Sequence, residues 1–222
     1  MASRRLGDTY GGYRERLVEL LREAGIHDLA VLRAFGETPR HLFVPEASLH
    51  RAYDDSALPI GAGQSISQPT TQALFLQSLQ LAGRERALEV GTGSGYQAAL
   101  LSHLVESVVT VERVPELAQR AREAIEAAQV SGVTVVVGDG SLGWRPHAPF
   151  DVILVAAASP TIPEPLISQL SETGRLIIPI EKDGEQELTL VQKQADEITR
   201  HPLGDAKFVP LIGKHGFSRP QE

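Results

Sequence analysis

RALEVGTGSGYQAALL, residues 86–101, decides how this chain is read. Ala87, Leu88 and Val90 form an apolar run that reads as a strand. Gly91, Thr92, Gly93, Ser94 and Gly95 then alternate glycine with small polar residues. From Tyr96 onward the apolar spacing turns helical. A strand, a glycine turn and a helix in that order let the backbone reverse sharply and approach a ligand closely.

The chain continues in the same rhythm. Strands are predicted over residues 108–111, 133–137, 150–157 and 175–180. Helices are predicted over 96–103, 115–128 and 163–170, with Pro115 at a favourable first-turn position and Gly174 just past the last one. Strand and helix in alternation imply an α/β fold, a doubly wound and mainly parallel sheet with helices on both faces. Two further strands, 187–192 and 208–211, have no long helix between them, so the sheet is expected to end in an antiparallel piece. Upstream, Leu17, Leu20, Leu21 and Ala24 give helical spacing over residues 13–24, and Gly25 ends it. A short helix over 28–35, a glycine- and proline-bearing loop or irregular strand over 51–69 and a helix over 70–81 follow. The expected organisation is an N-terminal helical and loop region, 1–80, and a sheet core, 81–222.

Composition narrows the chemistry. A chain of 222 residues that is 42% hydrophobic and 22% charged is an ordinary globular one. It has no cysteine, which excludes disulfides, thiolate metal sites and a cysteine nucleophile. A net charge of −7 argues against nucleic acid as a partner. The longest apolar run, residues 152–158, is too short to cross a bilayer. MASRRLGDTY at the start has no apolar run of leader type. A cytoplasmic location with no membrane partner is therefore expected.

Ligands of a doubly wound sheet bind beyond the carboxyl ends of its strands. Glu112 ends the second strand and can accept hydrogen bonds from both hydroxyls of a ribose. Asp139, between Gly138 and Gly140, ends the third and can reach a base edge, although an acid between glycines is also a common turn former. The spacing selects among nucleosides. A dinucleotide fingerprint is G-x-G-x-x-G, whereas here the pattern is G-x-G-x-G followed by Tyr96. Glu89 stands just before the turn, where a carboxylate is unfavourable beside pyrophosphate and useful beside a cation. S-adenosylmethionine has a ribose, an adenine, an ammonium and a sulfonium, and no phosphate. Its expected contacts are Glu89, Gly91, Thr92, Gly93, Ser94, Gly95, Glu112, Asp139 and Gly140.

Absences bear on the methyl acceptor. Ala156-Ala157-Ala158-Ser159-Pro160 follows the fourth strand, where nucleic-acid amino-methyltransferases carry an Asp/Asn-Pro-Pro-aromatic box. The acidic cluster of metal-dependent catechol enzymes is also missing, and the seven histidines show no metal-ligand spacing, so no metal is expected. An acceptor that needs no deprotonation fits this set. A carboxylate, with a pKa near 4, is such an acceptor. Transfer to it requires mainly proximity and in-line alignment.

Several segments together resemble the protein-L-isoaspartate O-methyltransferases of bacterial type. They are Arg40-His41-Leu42-Phe43-Val44-Pro45, Tyr53-Asp54, Leu58-Pro59-Ile60-Gly61-Ala62-Gly63-Gln64-Ser65-Ile66-Ser67-Gln68-Pro69 and the glycine turn. Gly138-Asp139-Gly140, Pro149-Phe150-Asp151, Arg175-Leu176-Ile177-Ile178-Pro179 and Phe208-Val209-Pro210-Leu211 complete the set. The segment from Pro59 to Pro69 is the specific part, since the glycine turn is common to most methyltransferases. The resemblance implies a Rossmann-like class I methyltransferase sheet and a repair activity. The α-carboxylate of an isoaspartyl residue is methylated, the ester cyclises to a succinimide, and the succinimide can reopen as aspartate. It implies S-adenosyl-L-methionine as donor, S-adenosyl-L-homocysteine as product, and isoaspartyl peptides and proteins as partners of a monomeric enzyme. It also implies Ser67 as the residue beside the acceptor carboxylate, with Ile66 and Gln68 flanking it. The residues alone leave two other readings open: methylation of another carboxylate or small molecule, and a donor-binding adaptor without turnover. Thr70 and Thr71 depart from the aromatic and apolar pair that often follows Gln-Pro in the family. Ser67 can also be read as a cap for the helix that follows Pro69.

Overall fold

The computed structural model describes residues 10–195 and 197–218. The N-terminal stretch read above for a leader lies, apart from Tyr10, outside the described residues. Nine strands and six α-helices are formed among those described. Helices α1 (Gly11–Glu23) and α2 (Leu29–Glu37) come first, and the Asp28 carboxylate caps α2 by accepting from Ala30 and Val31 N–H. A two-stranded hairpin, β1 (Leu58–Gly61) and β2 (Gln64–Ile66), leads into α3 (Pro69–Ser78). The core then alternates β3 (Arg86–Val90), α4 (Tyr96–Ser102), β4 (Ser107–Glu112), α5 (Pro115–Ala127), β5 (Val133–Val137), β6 (Phe150–Val155), α6 (Glu164–Ser168) and β7 (Leu170–Lys182). It closes with β8 (Glu185–Gln194) and β9 (Glu197–Asp205).

The large sheet runs β5-β4-β3-β6-β7-β8-β9. Its first five strands are parallel, and β8 and β9 are antiparallel additions. The doubly wound α/β sheet expected from the sequence is thus the one observed, including its antiparallel end. The order in which strands are added reverses between β3 and β6, which pair in parallel although β4 and β5 intervene in sequence. That switch opens a crevice at the strands' carboxyl ends. Successive side chains of β3 and β6 face opposite sides. Ala87, Val152 and Leu154 join one apolar cluster, while Leu88, Val90, Ile153 and Val155 join the other. The first cluster also holds Leu17, Leu21, Phe35, Leu76, Tyr96 and Leu100, so α1, α2 and α3 share a core with α4.

Two sequence expectations are corrected and one is made definite. The segment over 51–69, expected as loop or irregular strand, contains the bulged hairpin β1–β2. Ala62 and Gly63, both at positive φ, make a two-residue turn that pairs Gly61 with Gln64 and Leu58 with Ile66. The helix expected over 163–170 stops after five residues, because Leu170 pairs with Phe150 and is taken into β7. Residues 208–211 form no strand. The last strand is Glu197–Asp205, whose charges, Pro202 and Gly204 hide it from a hydrophobicity pattern and are tolerated because it is an edge. Residues 208–211 instead run extended past β6, with one bridge from Ala158 to Pro210. No described helix is long and apolar enough to cross a membrane.

Candidate active site

The glycine turn forms the floor of the crevice at the β3–β6 switch. Gly91, Gly93 and Gly95 have φ of 94°, 53° and 86°, the left-handed region where glycine is at home. The crevice is lined by Gly91 to Ser94 on this side, by Glu112 and Gly140 from the ends of β4 and β5, and by Ala156 and Ala157 after β6. Val209 to Ile212 cover it from the C-terminal segment, and Gln64 to Ser67 close it from the hairpin side. Its unfilled space is about 720 Å³, part of it open to solvent.

Glu112 is buried with its carboxylate in the wall. One oxygen accepts from Gly93 N–H and the other from Val114 N–H, each at 2.9 Å. Each oxygen keeps a lone pair for a diol. Gln97, on the first turn of α4, also lines the crevice. Its Nε2 is buried without a hydrogen-bond partner. No sequence motif pointed to Gln97. The signal was one polar residue in the otherwise apolar run of α4.

Three residues expected at the donor, Glu89, Asp139 and Gly95, are not among those that line the crevice. Glu89 is fully buried beneath the turn and does not line the crevice. Its carboxyl meets the Thr110 hydroxyl at 2.5 Å, and Thr110 meets the Thr92 hydroxyl at 2.7 Å, so the carboxyl reaches the crevice wall through two hydroxyls. Burial, which outweighs the Thr110 hydrogen bond and is reinforced by the Glu112 charge, pushes its pKa up to about 8. Asp139 lines a neighbouring cavity with Arg113 and Phe217. Its carboxylate accepts from Ser141 N–H and Oγ and from Lys214 N–H, at 2.6 to 2.9 Å. Burial alone would raise its pKa, but these hydrogen bonds hold it below the usual carboxylate value. A Cβ on Gly213 would overlap this carboxylate, so the C-terminal segment is seated on it. Gly95 faces away from the crevice and packs on α5, where an added Cβ would lie 3.1 Å from Ala121. Gly140 does line the crevice, and a Cβ there would press on Val90.

On the hairpin side, Ser67 lines the crevice and also a second space bounded by Gln68, Thr71, Phe75, Lys207 and Phe208. Ser65, Ala156 and Val209 are shared between the two as well. Ile66 is buried in β2 and still lines the crevice. Gln68 donates to Asp55 at 2.9 Å and faces the second space. Ser67 does not cap α3. The cap position is Gln68, and Asp55 reaches across from the preceding loop to accept from Thr70 N–H and Oγ. Thr70 is thereby used in the fold, and Thr71 lines the second space. Among the described residues, no group of three or more His, Asp or Glu is placed to hold a metal.

The family model for protein-L-isoaspartate(D-aspartate) O-methyltransferase matches residues 13–216. The chain belongs to this family. A protein-L-isoaspartate O-methyltransferase of Methanoculleus marisnigri is 50% identical over 92% of this chain and 93% of its own. One of Syntrophobacter fumaroxidans is 49% identical over 92% and 96%. Among solved structures, a protein-L-isoaspartate O-methyltransferase superposes with a TM-score of 0.84 at 31% identity, over 91% of this chain and 67% of that one. A structure described as the Plasmodium falciparum member in complex with S-adenosyl-L-homocysteine gives 0.80 at 28% identity, over 90% and 98%. The sheet is therefore that of a class I methyltransferase, as the resemblance implied.

Proposed function

We propose that residues 81–222 hold the methyl donor, that residues 1–80 present the acceptor, and that the two meet at Ser67. The activity is that of the family: a methyl group passes to the α-carboxylate of an isoaspartyl residue in a damaged protein, which begins its repair. S-adenosylmethionine supplies that methyl on a sulfonium, and its demethylated product is S-adenosylhomocysteine. The observation that carries the division of labour is that Ser67 borders both the donor crevice and the acceptor-side space.

Glu112 binds the ribose hydroxyls with the lone pairs that Gly93 and Val114 leave over. Gly91 and Gly93 bring backbone close to the donor, Thr92 and Ser94 line its path, and Gln97 Nε2 donates to it. Gly140 leaves room beside Val90, and Asp139 acts indirectly by seating residues 213–214, which anchor the cover at 209–212. Glu89 acts through Thr110 and Thr92. On the other side, Ser67 donates one hydrogen bond to the acceptor carboxylate, with Ile66 and Gln68 fixing its place. A neutral donor orients the carboxylate without neutralising it, and an ionised nucleophile needs no base. A monomeric state and a cytoplasmic location belong to this proposal, checked by sedimentation and by cell fractionation.

Two variants test the division. Glu112→Ala is expected to weaken S-adenosylhomocysteine binding by about 1–3 kcal/mol in calorimetry. Ser67→Ala is expected to keep donor affinity within about twofold and slow turnover at least about tenfold. Wild-type donor affinity in the first, or full turnover in the second, would refute the assigned role.

A further inference from the structure

We propose that Arg40 is a positioning residue, which locks the acceptor segment at Ser67 to the donor turn through one buried guanidinium. The proposal rests on the reading of Ser67 as the acceptor-side residue. Arg40 is wholly buried, the largest side chain so placed. Nη2 donates to the Ser67 carbonyl at 2.7 Å, and Nη1 donates to Gln72 Oε1 at 2.8 Å. Its carbon Cζ lies 4.7 Å from the centre of the Tyr96 ring. Tyr96 is the first residue of α4, directly after Gly95 of the donor turn. Three segments far apart in sequence are therefore held by one planar group.

A simple packing role does not account for this residue. Burying a cation without a carboxylate in contact is expensive, and an apolar side chain of similar size would fill the space at less cost. Burial lowers the Arg40 pKa to about 10, against the opposing influence of Tyr96 and of the more distant Asp55, so the group stays charged at neutral pH. The Asp55 carboxylate is itself committed to Gln68 and Thr70. What the guanidinium provides is a rigid fork that serves two acceptors and an aromatic face at once, which an ammonium cannot do. It grips the Ser67 carbonyl rather than its hydroxyl, so the side chain stays available to the acceptor. Misplacement of a reactant by about 1 Å can cost on the order of a hundredfold in rate, so such a lock matters to the transfer step.

Arg40→Lys keeps the charge and removes the fork. Expected are donor affinity within twofold of wild type, a fall of at least tenfold in kcat/KM for an isoaspartyl peptide, and faster amide exchange over residues 62–68 with none over 86–101. Wild-type kinetics and exchange would overturn the proposal, and so would a parallel loss of donor affinity, which marks general damage to the core. If Arg40→Lys does not fold, Gln72→Met removes one of the two hydrogen bonds. It should speed exchange over 62–68 and lower kcat/KM about threefold, and unchanged exchange there would overturn the proposal. The exchange measurement needs no methyl acceptor. It therefore reads Arg40 even if the assignment of Ser67 fails.

Discussion

Glu89 shows what changes between a residue type and its surroundings. In the sequence it is an acid beside a glycine turn, and it reads as an anion waiting for a cationic ligand. In the fold it is fully buried, one oxygen has no partner, and its pKa is about 8. It is therefore mostly protonated at neutral pH. A carboxyl whose folded pKa lies above its unfolded value, 4.5 here, stabilises fully below the lower value. That stability is lost progressively as pH rises from 4.5 to about 8, at about 1.4 kcal/mol per pH unit, with no further loss above it. Glu89→Gln should match the wild type in urea unfolding near pH 4.5, exceed it increasingly up to about pH 8, and hold a constant lead from there to about pH 9. A constant difference between pH 4.5 and about 8 would contradict a raised pKa. The acids at strand ends were legible in the sequence because strand ends are. Their contacts were not, since Asp139 is engaged by Lys214, and Glu89 by Thr110 of the next strand. Arg40 and Gln97 were passed over for the same reason, as neither belongs to a turn or a strand end.

At the scale of elements, the turn between β3 and α4 carries two separate demands. Gly91 and Gly93 serve the crevice, while Gly95 serves the packing of α4 on α5. Gly95→Ala combines positive φ with a Cβ 3.1 Å from Ala121 and is expected to destabilise by about 1–3 kcal/mol in chemical denaturation. Gly63→Ala, at φ 67° in the hairpin turn with no atom within 4 Å of the new Cβ, should lose only about 1 kcal/mol. Equal losses at the two sites would remove packing as the reason for Gly95. The βα alternation was readable because each strand from β3 to β6 is short, apolar and bounded by clear turns. The edge strand β9 was not, because an edge needs no apolar face and tolerates Pro202. Residues 208–211 misled in the opposite sense. Their apolar character serves the roof of the crevice rather than a ladder.

For the whole molecule, the decisive fact is convergence. The crevice is lined from the ends of β3, β4 and β5, from the hairpin before α3, and from residues 209–212. The doubly wound order places the crevice at the β3–β6 switch, which the sequence rhythm implied. The sequence held no sign that α1, α2 and α3 share one apolar cluster with α4, because that packing depends on which helix faces turn together. This shared core ties the N-terminal helices to the helix that follows the glycine turn. The most direct test is transfer of a labelled methyl group to two peptides of identical composition, one with an isoaspartyl residue and one with aspartate at the same place. The chain is expected to label the isoaspartyl peptide and leave its twin essentially unlabelled. Equal labelling of the two, or none of either, would contradict it.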